Sequence, residues 1–176
     1  CESQFLTPAQ CQQYAVDFSH VKGAANQATA GTLAEWLIAQ NILSRYQVTV
    51  LLTGKSGPFT FGDYRVYDRV ESGRLTSSFR AVHAPTGHPV MLAFLPPAVT
   101  NHPTLWNQTV RASQALSQTN NPYLRRCHDL VDLGKYRFLV FEDVRGMALR
   151  ERIAPGQRMP PADVCRIVRQ AAIGLA

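Results

Sequence analysis

The 176 residues predict an α+β fold, a small helical module followed by a sheet-bearing domain and then two further helices. Three observations carry this. Three capping patterns, each a hydroxyl residue followed three later by Glu or Gln, lie within residues 1–57. Residues from about 60 to 143 read as strand, strand, strand, helix, strand, strand, and residues 147–175 return to helical periodicity.

The capping patterns are Thr7-Pro-Ala-Gln10, Thr32-Leu-Ala-Glu35 and Ser44-Arg-Tyr-Gln47, which predict a three-helix unit over residues 1–57. Its third helix runs Arg45 to Leu52 and stops at Gly54, with Lys55-Ser-Gly-Pro58 as linker. Val48 and Thr49 are β-branched, which a helix tolerates when they are buried.

The second domain spans residues 58–144. Phe61-Gly-Asp-Tyr-Arg-Val-Tyr-Asp-Arg-Val70 is its entry strand, with Tyr64, Val66 and Tyr67 as candidate packing positions. Phe79 to His83 and Pro89-Val-Met-Leu-Ala-Phe-Leu-Pro-Pro97 form a hairpin. A helix over about 103–117 opens at Pro103, and Leu105, Thr109, Ala112 and Leu116 recur at helical spacing, so they are expected on its packed stripe. Leu130 to Asp143 is a second hairpin, turning at Gly134-Lys135. Residues 145–176 supply helices over Met147–Ile153 and 161–175, the latter with Val164, Val168, Ala171 and Leu175 as its apolar stripe.

These landmarks together resemble the amino-terminal lobe of bacterial serine/threonine protein kinases, and the resemblance covers residues 59–176. It implies a five-stranded antiparallel sheet carrying one αC-like helix. The helices upstream are similar to the region preceding kinase domains in planctomycete-type proteins. The resemblance also says what is missing. The strand that in the family runs Val-Ala-Leu-Lys has Ala93 where the ATP-gripping lysine stands, and Thr109 takes the place of its glutamate partner. The phosphate loop Gly-x-Gly-x-x-Gly becomes Glu71-Ser-Gly-Arg-Leu-Thr76, which keeps only Gly73.

Around the expected adenine slot, Met91 replaces a small alanine and Ser78 replaces a valine. By the resemblance, Phe141 stands at the gatekeeper position and Glu142 to Val144 along the hinge, whose backbone could still bond adenine were the slot open. The His-Arg-Asp and Asp-Phe-Gly motifs do not occur. Losing lysine and glutamate together matters, because losing one alone strands a buried charge at a cost of several kcal/mol.

The expectation is therefore a catalytically inactive, pseudokinase-like chain with no catalytic residue, no metal and no cofactor. It would act as a regulatory or scaffolding module on other proteins through its exposed lobe face, with homo-oligomerisation left open. The alternative is a piece of a serine/threonine kinase whose catalytic residues lie in further carboxy-terminal sequence. In that case a displaced lysine would have to serve, and Lys135 is the single lysine of the kinase-like part.

Composition agrees with a cytoplasmic setting. The hydrophobic fraction is 45%, and no apolar run approaches the ~18 residues of a membrane helix. The four cysteines and five histidines show no metal-ligand spacing, which favours free thiols over a disulfide framework or a zinc site. The opening Cys-Glu-Ser-Gln reads as a fragment or processed start rather than a signal peptide. The net charge of +6 falls entirely in the kinase-like part, whose 15 bases include 14 arginines. With no interleaved basic and aromatic residues, this reads as a solvated face rather than a nucleic-acid surface.

Overall fold

The computed structural model describes residues 6–21, 29–70, 77–153 and 158–175. The chain forms two compact units, Cys1–Pro89 and Val90–Ala176.

The first unit holds helices α1 (Pro8–Ser19), α2 (Ala30–Ala39) and α3 (Arg45–Leu52) and strands β1 (Thr60–Phe61), β2 (Tyr64–Val70) and β3 (Ser78–His83). Two of the three expected capping boxes form, at Thr7/Gln10 and Ser44/Gln47. The third is displaced. Helix α2 starts one turn earlier, with Thr29 and Thr32 capping each other, so Thr32 lies inside the helix as the box's third residue. A threonine hydroxyl returns the bond to the N-cap amide as well as a Glu would, which the Glu/Gln pattern overlooks. Asn41 ends this helix at φ 55, and the Ile42 amide reaches back to the Leu37 carbonyl in a Schellman closure.

Ala34, Leu43 and Val48 form the buried centre between α2 and α3, flanked by Leu37, Ile38, Ile42 and Leu51. The rings of Tyr14 and Phe18 meet Trp36 edge-on at 6.4 and 5.8 Å. Helix α3 is fastened to the strands by its own capping residue. Gln47 is buried, its carbonyl oxygen accepting from the Ser44 amide at 2.9 Å while its Nε2 donates to the Val66 carbonyl at 2.8 Å. That carbonyl sits where the β2–β3 register shifts between Val66 and Asp68, so the bulge and the glutamine answer each other. Tyr46 adds ring contacts to Phe59 at 6.3 Å and Phe79 at 5.9 Å.

The strands of this unit run β1-β2-β3, all antiparallel. The expected entry strand is split in two: Gly62, at φ 58, starts a two-residue turn that pairs Phe61 with Tyr64. The described residues therefore hold six strands where five were expected.

The second unit contains β4 (Pro89–Phe94, from Val90 onward), a one-turn α4 (Pro97–Thr100), α5 (Pro103–Gln118), β5 (Cys127–Asp132), β6 (Arg137–Glu142), a short α6 (Leu149–Arg152) and α7 (Pro161–Leu175). Strand order here is β4-β6-β5, again antiparallel. Leu92, Phe138 and Val140 share one face by register and are almost wholly buried.

Helix α5 packs on β5. Its packed face is offset from the expected stripe. Leu105 and Ala112 are exposed, whereas Ser113 is buried and Trp106, Thr109, Val110, Leu116 and Ser117 are half-buried. A buried serine is tolerated because its hydroxyl donates to the Val110 carbonyl within the same helix.

Helix α7 shows the same offset more strongly. Gly174 is its buried residue, with Asp163, Ile167 and Gln170 partly covered, while Val164, Val168 and Leu175 are 43%, 62% and 86% exposed and Ala171 is also exposed. Gly174 fixes that face: a Cβ there would stand 3.2 Å from the Tyr123 carbonyl, and Asn121 Nδ2 donates to the neighbouring Ile173 carbonyl at 3.1 Å. Backbone proximity, rather than the apolar stripe, decides how α7 lies.

Candidate functional site

Strands β4 and β6 pair Met91 with Phe141, Leu92 with Val140 and Ala93 with Leu139. Side chains alternate across a strand, so Met91, Ala93, Leu139 and Phe141 share the face opposite Leu92 and Val140. Met91 is buried; Ala93 and Phe141 are half-buried. The structure thus brings three of the expected site residues onto one face of two adjacent strands.

A residue that the sequence did not single out completes this face. Arg125, three positions past Pro122 and just ahead of β5, donates to the Glu142 carbonyl from Nε at 3.0 Å and from Nη2 at 2.7 Å. The same Nη2 lies 3.2 Å from Met91 Sδ, and the guanidinium carbon stands 5.4 Å from the centre of the Phe141 ring. Both ends of Glu142 are also engaged with Arg126. The Glu142 amide donates to the Arg126 carbonyl at 3.1 Å, and Glu142 Oε1 accepts from the Arg126 amide at 3.0 Å. Glu142 is thus engaged by both Arg125 and Arg126. Of the Glu142 to Val144 backbone, the Glu142 carbonyl already accepts two bonds from Arg125.

The other expected positions lie on other elements. Thr109 is half-buried on α5, and its hydroxyl donates to the Leu105 carbonyl at 2.9 Å, so its polar group is satisfied within the helix. Val144 is 57% exposed beyond β6. Ser78 is buried at the start of β3 in the first unit. Gly73 lies outside the described residues. Lys135, the lysine that could have been displaced, is exposed at the β5–β6 turn with its ammonium 5.4 Å over the Tyr136 ring.

A second arginine organises the opposite end of the β5–β6 hairpin. Arg137 Nε donates to Asp132 Oδ2 at 2.9 Å, Nη1 donates to the Thr100 carbonyl at 2.8 Å, and the guanidinium carbon lies 4.5 Å from the centre of the Trp106 ring in the first turn of α5. The hydrogen bond from Arg137, helped by the Gly134 amide, holds the Asp132 carboxyl below its ordinary value. At the other end, burial pushes the Cys127 thiol up, and Cys127 and Cys165 are free. Among the described residues no cluster of His, Cys, Asp or Glu could hold a metal ion, and no helix is long and apolar enough to cross a membrane.

Solved structures place this architecture. The Mycobacterium tuberculosis PknI kinase domain matches with a TM-score of 0.57 at 18% identity, over 64% of this chain and 46% of that one. A double mutant of the same domain matches at 0.58, also at 18% identity, over 64% and 46%. The chain has a protein-kinase-like fold. At this identity the likeness concerns fold alone, and the chain spans less than half the length of the structures it matches. No family model and no curated protein matches it.

On a kinase-like fold the arginine pairs acquire meaning. Composition alone suggests that the arginines form a solvated face, but Arg125 and Arg137 are both engaged. Arg125 stands between Leu124 and Arg126, and no local pattern singles it out. Its acceptor lies 17 residues away, and only strand pairing brings it there.

Proposed function

We propose that this chain is a kinase-like module without phosphoryl-transfer activity, serving as a regulatory or scaffolding element for other proteins in the cytoplasm. The observation that carries the reading is the Arg125 guanidinium, bonded twice to the Glu142 carbonyl on the face that bears Ala93. By the resemblance, that carbonyl is where adenine would bond and Ala93 is where the lysine would stand. Adenine offers a neutral donor. To bind, it would have to displace a charge-assisted pair, and hydrogen bonds to charged groups contribute roughly 1.5–3 kcal/mol against about 0.5–1.5 for neutral ones.

Met91 adds to the obstruction. It is buried against Arg125, so moving it aside for a ring costs about 1–3 kcal/mol in an overpacked site. On this reading Gly73, Ser78, Met91, Ala93, Thr109, Phe141, Glu142 and Val144 are the remains of a nucleotide site, and no metal or cofactor serves. Residues 1–57 act as the helical module, 58–144 as the kinase-like lobe and 145–176 as the start of the second lobe. The apolar residues left exposed on α7, with Met147 and Ile153 nearby in sequence, suit a protein partner better than a small molecule.

A second reading is favoured by the fold itself, since the matched structures are described as kinase domains. In that reading the chain is a segment of a serine/threonine kinase. Thermal unfolding with Mg-ATP separates the two. A nucleotide bound with Kd near 10 μM would add about 2.7 kcal/mol of stability at 1 mM. The expected result is no shift in Tm; a rise of several degrees would overturn the proposal.

A further inference from the structure

A cleft of about 360 Å³ opens between the α4 turn and the β5–β6 hairpin, bordered by Thr100, Asn101, Gly134, Lys135 and Arg137. No carboxylate lines it. Asp132 stands behind Arg137 and is engaged by Arg137 Nε and by the Gly134 amide, so its charge is matched. The Lys135 charge is not matched by any acidic group among the described residues.

Three donor groups at this cleft have no acceptor among the described residues. Arg137 spends Nε on Asp132 and Nη1 on the Thr100 carbonyl, which leaves Nη2. Asn101 receives the Thr100 hydroxyl on Oδ1 at 3.5 Å, which leaves Nδ2. The Lys135 ammonium makes only its ring contact with Tyr136. Two cations and an amide on three separate segments suit an anion with oxygens pointing in several directions. A planar carboxylate has two oxygens in one plane and could not answer Arg137 Nη2, the lysine and the amide together. The volume lies at the small end of ligand pockets, which suits one compact group rather than a whole nucleotide.

We propose that this cleft is a binding site for a phosphoryl group. Arg137 links the site to the αC-like helix, because the guanidinium that would receive the anion also stacks on Trp106 and holds the Thr100 carbonyl. Binding would be sensed at the first turn of α5. The site does not depend on whether the chain binds ATP, so it stands or falls separately from the function proposed above.

The test is a titration of the isotopically labelled 176-residue chain, followed by NMR at constant ionic strength, with inorganic phosphate, pyrophosphate and a short phosphoserine peptide. Saturable shifts of the Lys135 amide and the Trp106 indole are expected, with the Trp36 indole unmoved. Lys135→Gln should weaken binding about tenfold, the loss of one charge-assisted bond, while Arg169→Gln on α7 should leave it unchanged. Tighter binding of the peptide would assign the phosphoryl group to a protein partner, and tighter binding of pyrophosphate to a small molecule; either supports the site. Shifts that do not saturate, that chloride reproduces, or that Arg169→Gln reduces as much as Lys135→Gln would overturn it.

Discussion

Arg125 and Arg137 stand at opposite ends of the same β-hairpin and use the same chemistry to opposite effect. Arg125 lies at the open end, with its bonds directed to the Glu142 carbonyl and its plane against Met91 and Phe141. It closes a surface. Arg137 lies at the turn end and ties together Asp132, Thr100 and Trp106 while leaving Nη2 toward a cleft. It opens one. The comparison teaches that the surplus of arginines is not one undifferentiated basic face. Guanidinium groups carry several donors in fixed directions, so the acceptors within reach decide whether an arginine fills a site or offers one.

The contrast can be broken by mutation. The largest effect is expected from Arg137→Ala, which removes a charged donor from a backbone carbonyl and a cation stacked on Trp106. Together these should cost about 2–4 kcal/mol in urea unfolding, with the exposed Asp132 pair adding little. A loss below 1 kcal/mol would show that Arg137 does not hold α5. Arg125→Ala follows, with an expected loss of about 1–3 kcal/mol as the Glu142 carbonyl loses both charged donors. On the proposed reading it should not create Mg-ATP binding, because Ala93 and Thr109 leave the lysine and its glutamate partner unreplaced. A clear Tm rise with nucleotide in this variant would reduce the occlusion to Arg125 alone.

The next test concerns the pair that the resemblance places in apposition. Ala93→Lys should destabilise the fold, since burial next to Met91 and Phe141 disfavours an ammonium with no acid to meet it. Adding Thr109→Glu should recover part of the loss, with a coupling of roughly 0.5–3 kcal/mol in a double-mutant cycle. Strict additivity would mean that the two positions do not face each other. Phosphoryl transfer is expected in neither variant.

The smallest effect is on pH. Arg137 first, and the Gly134 amide second, hold Asp132 below its ordinary carboxylate value of 3.8. A group lowered in the folded state contributes fully above the unfolded value and loses that contribution as pH falls through the folded one. The gap in stability between the parent and Asp132→Asn should therefore narrow between roughly pH 5 and pH 2, and a gap independent of pH would sink the assignment.

Much of this molecule was legible in its sequence because the determining interactions are local. The capping boxes at Thr7 and Ser44, the helix opened by Pro103 and the turn at Gly134 each depend on residues within about four positions of one another. The α+β class and the kinase-like order of strands followed from such patterns, whereas the register that pairs Met91 with Phe141 came only with the structure. What failed was the choice of face. Helix α5 keeps Thr109 and Leu116 of its expected stripe partly covered but exposes Leu105 and Ala112 while Trp106 is held by Arg137, and α7 turns its apolar stripe outward where Gly174 lets the backbone of Tyr123 come close. The two arginine centres were equally out of reach. Arg125 finds its acceptor 17 residues away and Arg137 finds Thr100 37 residues away, so neither partner is named by any local pattern. Sequence sets which elements form, through short-range hydrogen bonds and periodicity. Which side of a helix is buried, and what a long charged side chain reaches, is decided only when the strands have paired and the acceptors of distant segments stand side by side.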